Sequence, residues 1–282
     1  MNKVPFISII VLNWNGRNLL RNCLNSLKKN TIYENYEVIV VDNNSNDGSV
    51  DMLKHHYPWV RVIKNRKNIS APTAMNQGIK TSKGMYLVHL DNDVQFIQKE
   101  WLNNLVDTME ADKNIASLGC QLLSFDAKPH YENKIKYVDN VCGSLMMIRR
   151  DAIDKVGTFD DKNFTPVYGD ETDWNYRAKN FGYKNAEALN TAVVINGSDS
   201  QRSRGADFSY FLTNKHRLRA MLFNLSPINF LMRLPGLGLI FVNSIPQKTI
   251  HLLLKSYWEN IKDFKRIIEE RRKREQMKKL HF

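Results

Sequence analysis

The chain has 282 residues, of which 41 are Lys or Arg and 29 Asp or Glu; 43% are hydrophobic, 10% aromatic and 25% charged. That composition excludes collagen-like, low-complexity and wholly disordered chains, and the length suits one large α/β domain or a domain with an appendage. The formal charge of +12 is uneven, since residues 201 to 282 hold 17 Lys/Arg against 6 Asp/Glu, and a nearly neutral body of this kind is not expected to bind nucleic acid.

The first apolar run, 6–12, reads as a buried strand, and 17–29 as a helix with Leu19, Leu20, Cys23, Leu24 and Leu27 on one face. Residues 37–42 form the next strand, Asp47 caps a helix over about 48–56, 60–64 is a third strand and 71–81 a third helix. A fourth strand, 85–90, ends in Asp91-Asn92-Asp93, and helical spacing resumes over 99–111. Such alternation is the pattern of βαβ units and a mostly parallel sheet. Later elements are less regular: a strand near 115–123, a polar loop over 124–136, a strand over 144–148, helices over 150–156 and 171–181, and a last strand over 191–195.

From about Tyr210, Pro227, Pro235 and Pro246 punctuate short helical pieces before a long amphipathic helix begins at Ile250. Leu253, Leu254, Tyr257, Ile261, Phe264 and Ile268 make its apolar face, Lys248, Lys255, Lys262 and Arg266 lie opposite, and it runs into the basic stretch 271–274. The run 6–12 lacks the features of a signal peptide, and the longest late apolar run, 234–242, is far short of the roughly 20 residues that cross a bilayer. Cys23, Cys120 and Cys142 have no metal or disulfide spacing, which suits a reducing cytosol.

Ligands of open α/β sheets bind beyond the carboxyl ends of the strands. Here those ends carry Asn13-Trp14-Asn15-Gly16, then 42–48 (Asp-Asn-Asn-Ser-Asn-Asp-Gly), then Asp91-Asn92-Asp93. Alternate carboxylates after an apolar strand can hold a hard divalent cation that keeps positions open for diphosphate oxygens. The same residues also suit turns and helix caps.

The ordered set of these motifs resembles family 2 glycosyltransferases of the GT-A fold. It continues through Asn68 with 76–79 (Asn-Gln-Gly-Ile), Gly143 to Arg150, Val156 to Asp160 and Tyr168 to Arg177, so the resemblance covers roughly residues 6 to 220. It implies a Rossmann-like, mixed but mostly parallel sheet flanked by helices. A nucleotide-binding half over about 1–95, an acceptor half over about 96–220 and a helical basic appendage over 221–282 follow from it. It also implies transfer of a sugar from a nucleotide-diphosphate donor to a glycan or lipid-linked hydroxyl, with inversion and with Mg2+ or Mn2+.

Residue by residue, the resemblance puts Asp42 on the nucleotide base, with Asn13 and Asn15 beside it, and Asn68 and Asn76 at the donor pocket. Ser70 and Pro72 depart from the family pattern there. Asp93 matches the metal aspartate and Asp91 its ribose- or metal-contacting partner. Glu171 falls on the catalytic base, usually aspartate, with Asp170 as the other candidate. Gly143 and Trp174 are acceptor-side positions, although Trp174 equally suits a buried aromatic. Asn196 to Ser198 replaces a family histidine that supports the diphosphate or metal, which leaves Arg202 or Arg204 for that work.

Three readings stay open for the tail: a helix packed on the domain, a nucleic-acid contact, or peripheral attachment through 248–282 to anionic lipid on the inner face of the cell membrane. A nucleotidyltransferase on a similar sheet, or a non-catalytic nucleotide- or lipid-binding relative, are the competing functions.

Overall fold

The computed structural model describes residues 4–197 and 205–279. Strand β1 (Ile7–Asn13) is flanked in parallel by β2 (Tyr36–Asp42) and β4 (Tyr86–Asp91), with β3 (Val60–Lys64) outside β2. Beyond β4 follow β8 (Leu145–Arg149), β6 (Ile115–Leu123), β9 (Lys184–Ile195) and β5 (Val94–Phe96), and β7 (Ile135–Val138) also joins β9. Strands β5, β7 and β8 run against the others, so the sheet is mixed and mostly parallel, as expected.

Both faces of the sheet are covered, which is why its strands are apolar runs. Helices α1 (Arg17–Lys29), α2 (Ser49–His56) and α4 (Trp101–Ala111) bury Leu20, Leu24 and Trp101 against Ile9 and Val11. On the other face α3 (Ala71–Thr81), α5 (Arg150–Val156) and α6 (Asp170–Asn180) bury Met75, Ile153 and Trp174 with Ile10 and Leu87. The alternation of Ile9, Ile10 and Val11 thus divides β1 between two cores.

Strands β5 and β7 are not apparent in the sequence because three or four residues carry no periodicity, and β7 starts within the expected polar loop. The first half of β9 is also missed. Its polar Asn185 is buried, accepting from Ser117 Oγ at 3.1 Å and donating to Asn175 O at 3.0 Å, so pairing replaces apolarity there. The expected divisions at 95/96 and 220/221 fall inside β5 and inside the helix Ala206–Asn224.

The C-terminal layer comprises α7 (Ala206–Asn224), α8 (Pro227–Leu231), α9 (Leu234–Ser244), α10 (Ile250–Lys262) and α11 (Phe264–Lys279). Helix α7 is one 19-residue element where short pieces were expected, since its buried side includes Asn214, His216, Arg219 and Asn224 and shows no hydrophobic stripe. The single long helix expected from Ile250 is divided at Asp263, whose carboxylate pairs with Arg219 of α7. Helix α10 is also rotated from the expected orientation. It buries Leu253, Ser256 and Asn260, and Asn260 donates to Lys215 O at 2.9 Å and accepts from Arg219 Nε at 3.1 Å.

The basic stretch 271–274 is not a wholly solvated end. Arg274 is only 8% exposed, contacts Asp173 and Asp160, and lies over the Phe223 ring at 4.4 Å. Asp173 is fully buried; it also receives Arg177 Nε at 2.9 Å and Asn224 Nδ2 at 2.8 Å. Burial alone would raise its carboxyl, but the guanidiniums of Arg274 and Arg177 outweigh it and hold it below the usual range.

Replacing Arg274 by Ala strands part of that buried charge and is expected to destabilise the fold by about 3–5 kcal/mol, as removal of one partner from a buried pair does. Asp173 titrates lower folded than unfolded. Its contribution is therefore complete above the unfolded value of about 4 and disappears as pH falls through the folded one. Urea unfolding at pH 7 and pH 3 should show the gap between wild type and Arg274→Ala narrowing in acid; a gap of only a few tenths of a kcal/mol at pH 7 would refute the assignment.

Candidate functional site

The chain runs outward from β1 to β2 and β3 and then crosses to β4, so the loops after β1 and β4 diverge and leave a crevice at that switch. The cleft there leaves about 210 Å³ accessible to water, and its lining includes Asn13, Trp14, Asn68, Asp91, Asp93 and Glu171.

At the β1–β2 side the polar residues form one network. The Asn13 amide donates to Asp42 Oδ2 at 2.9 Å and accepts from Asn92 Nδ2 at 2.8 Å. Asp42 is fully buried, and its other oxygen takes the Ser45 N–H at 2.9 Å, so it stands behind Asn13 instead of lining the cleft. Asn15, held at φ 50°, donates its N–H to Ser45 Oγ at 2.9 Å and accepts from Asn46 N–H at 2.9 Å; it stitches two loops together and is likewise off the cleft. Asp47 accepts from the N–H groups of Arg17 at 2.8 Å and Ser49 at 3.0 Å, capping two helix starts from just outside α2.

Asn68 does line the cleft, its side-chain oxygen held by Asn43 Nδ2 at 2.7 Å. Asn76 does not, because it grips the backbone of Phe159 with both ends, at 2.9 and 3.1 Å. The departures at Ser70 and Pro72 have a local cause: Ser70 caps α3 through the Thr73 N–H, and Pro72 occupies its first turn.

Asp91, half-buried, and Asp93, 4% exposed, both line the cleft beyond β4. Antiparallel pairing of β5 with β9 brings Asn196 to the same place, its N–H donating to Asp93 O at 3.1 Å. Carboxylate oxygens are the hard donors that Mg2+ and Mn2+ prefer, so this donor set fits such a cation. Among the described residues no three His, Cys, Asp or Glu side chains gather into a closed metal cage. Arg202 and Arg204 lie outside the described residues.

Facing Asp91 and Asp93 are Asp170 and Glu171, in the first turn of α6, which follows Tyr168 at φ 71° and Gly169 at φ 81°. Burial first, and then the neighbouring Glu171 charge, push the Asp170 carboxyl well above the usual carboxylate range. Glu171 is half-buried and lies against Gly143, where an added Cβ would stand 2.2 Å from Oε1. Gly143 is therefore a seat for Glu171 and does not itself line the cleft. The expected stacking role of Trp174 is overturned: its ring is fully buried on the sheet face, and Nε1 donates to Gly157 O at 2.8 Å.

Three residues were not singled out from the sequence. Trp14 lines the cleft as an aromatic between two asparagines. His89 lies two residues before Asp91 on the same face of β4, a signal readable from the strand period. It is 4% exposed and lines the cleft, its Nδ1 has no hydrogen-bond partner, and burial holds it below the usual imidazole range. His216 of α7 donates from Nδ1 to the carbonyls of Tyr168 at 2.8 Å and Val167 at 3.0 Å, and burial pushes it down to about 4. It remains a neutral donor that holds the loop entering α6.

Residues 8–197 match the family model described as glycosyl transferase family 2. Glycosyltransferase AglE of Haloferax volcanii is 26% identical over 202 residues, covering 64% of this chain and 63% of that protein. The poly(ribitol-phosphate) beta-glucosyltransferase of Bacillus spizizenii is 36% identical over 118 residues, covering 40% of this chain and 18% of that one. The chain thus spans less than two thirds of the length of these curated relatives. Among solved structures, the mannosyltransferase PcManGT from Pyrobaculum calidifontis, in complex with GDP-Man and Mn2+, superposes with a TM-score of 0.66 at 17% identity, covering 92% of this chain and 76% of that one. The fold is GT-A.

The buried Asp170 has a measurable consequence. It holds a proton in the folded state that it loses above pH 4 when unfolded, so stability falls with rising pH, by about 1.4 kcal/mol per unit, until the folded value is passed. Asp170→Asn should therefore raise the melting temperature, and raise it more at pH 8 than at pH 5. An equal or opposite shift at the two pH values would contradict the raised Asp170.

Proposed function

The chain belongs to glycosyl transferase family 2, and on that premise we propose that it moves a sugar from a nucleotide-diphosphate donor to a hydroxyl of a glycan or lipid-linked acceptor, with inversion at the anomeric carbon. The observation that carries this reading is the meeting of two acidic pairs, Asp91 with Asp93 and Asp170 with Glu171, in one cleft at the sheet switch point.

Donor binding falls to the β1–β2 side, where Asn13, Trp14 and Asn68 line the cleft and Asp42 orients Asn13 from behind. Asp91 and Asp93 would hold the divalent cation, which when bound offsets the charge that develops on the departing diphosphate. In the acidic pair on α6, burial and the neighbouring Glu171 charge favour the protonated form of Asp170. Glu171, the half-buried member seated on Gly143, is the one an acceptor hydroxyl can reach. It takes the hydroxyl proton as the oxygen attacks the anomeric carbon, and the bond to the diphosphate breaks with its electron pair leaving on the diphosphate oxygen. A peripheral position at the inner face of the membrane belongs to the same reading.

Melting the protein with UDP, GDP and TDP, each with and without Mn2+, should show one nucleotide that raises the midpoint only with metal, by mass action on the folded state. Glu171→Gln is expected to keep that shift and lose about 10²–10⁴-fold in transfer rate, the usual contribution of a general base. Gly143→Ala, which displaces the Glu171 carboxylate, should behave in the same direction. Full activity in Glu171→Gln with loss in Asp170→Asn would move the base to Asp170, and a racemised or retained anomeric centre in the product would overturn inversion.

A further inference from the structure

Most apolar surface in this fold is buried, but one region departs from that rule. Helix α9 exposes Leu234, Leu239, Phe241 and Val242 by 42–61%, and Ser244 is its sole fully buried residue. The short α8 and the turn after it add Ile228, Leu231 and Met232 at 60–73% exposure. A third contribution comes from α10, whose rotation leaves Leu254, Trp258 and Ile261 outward at 53–60%. Their spacing of four and three puts these last three on one stripe.

An apolar shelf built from three consecutive helices exceeds the scattered exposed residues of an ordinary surface and marks an interaction site. Its charge pattern selects the partner. From Ser226 to Ser256 there is no Asp or Glu, and Lys248 and Lys255 lie in that span; Arg233 pairs with Asp139, and past the span Lys262 pairs with Glu259 at 2.8 Å. A second copy docked by a two-fold axis would bring a surface carrying Lys248 and Lys255 against itself, on a chain of net charge +12. Anionic lipid instead offers hydrocarbon to the apolar side chains and phosphates to lysines whose stems reach past them. Trp258, apolar in its ring and polar at its indole N–H, suits the headgroup boundary.

We propose that α8, α9 and the outward stripe of α10 insert into the interfacial layer of an anionic bilayer, with Lys248 and Lys255 at headgroup level. This rests on the membrane-face reading above and relocates its contact. The apolar shelf carries the attachment, and the basic stretch at 271–274 is partly committed internally, Arg274 to Asp173 and Arg271 to Leu222 O at 3.1 Å. Insertion stays shallow: eleven residues of α9 extend roughly 16 Å at about 1.5 Å each, half of a hydrocarbon core of about 30 Å. Among the described residues no helix is long and apolar enough to cross. The shelf is also coupled to the cleft, because α7, which leads into it, holds the Tyr168 and Val167 carbonyls through His216.

The test is flotation of the full chain with vesicles of phosphatidylcholine plus phosphatidylglycerol, and of phosphatidylcholine alone. Wild type should float with the anionic vesicles, and its Trp fluorescence should shift to the blue, a shift absent in Trp258→Phe. The double variant L239D/V242D, at exposed positions, should lose at least tenfold in bound fraction with its melting temperature and nucleotide binding unchanged. If that variant floats like wild type, the shelf is not the contact, while the membrane reading survives. If wild type floats with neither vesicle, both fail. A wild-type dimer that the double variant dissolves would reassign the shelf to self-association.

Discussion

Asp173 has no access to water, and its charge is tolerated only because guanidiniums from two distant parts of the chain close on it, Arg177 one turn along α6 and Arg274 near the end of α11. A buried carboxylate needs such compensation. The clamp fixes α6 between the sheet and the C-terminal layer, and the same first turn of α6 carries Asp170 and Glu171 into the cleft. Three acids within four residues therefore meet three environments. One is compensated by ion pairing, one is pushed by burial toward its protonated form, and one lines the cleft.

The other wall of the cleft depends on a different device. Asn13, Asp42, Ser45 and Asn92 are joined by hydrogen bonds between adjacent strand ends, so this side is organised by one polar network around the buried Asp42. The acidic residues at β4 line the same cleft with carboxylate oxygens, the hard donors that a divalent cation prefers. Small polar residues recur here because backbone and side chain must both be satisfied in a crowded turn.

The C-terminal layer joins two roles that the chain keeps apart in sequence. Its inner side, through His216, Arg219, Asn224 and Arg274, is polar and holds the loop and helix that carry Asp170 and Glu171 into the cleft. Its outer side is apolar and open. This inversion of the usual arrangement makes it a connector between the cleft and a hydrophobic exterior.

Much of this was legible in the amino-acid order. Helix α1 and strand β3 lie where periodicity puts them, and the polar strand ends announced the cleft, because strand order and the apolar-to-polar switch are local properties that survive any packing. His89 could have been read as well, from its two-residue offset from Asp91. What local pattern could not supply were distinctions made by depth. Asp42 and Asn76 have the right types for ligand contact but are occupied by Asn13 and Phe159, and Trp174 faces the core. Helices α7 and α10 bury polar residues matched across 41 and 45 positions of sequence, Arg219 with Asn260 and Lys215 with Asn260, so no window of hydrophobicity reveals their faces. The sequence by itself determined which chemistry was available and at which strand ends. The tertiary structure alone decided which carboxyl keeps its proton, which arginine is buried and which apolar residues stay exposed, because burial, desolvation and charge pairing are sums over neighbours that only folding brings together.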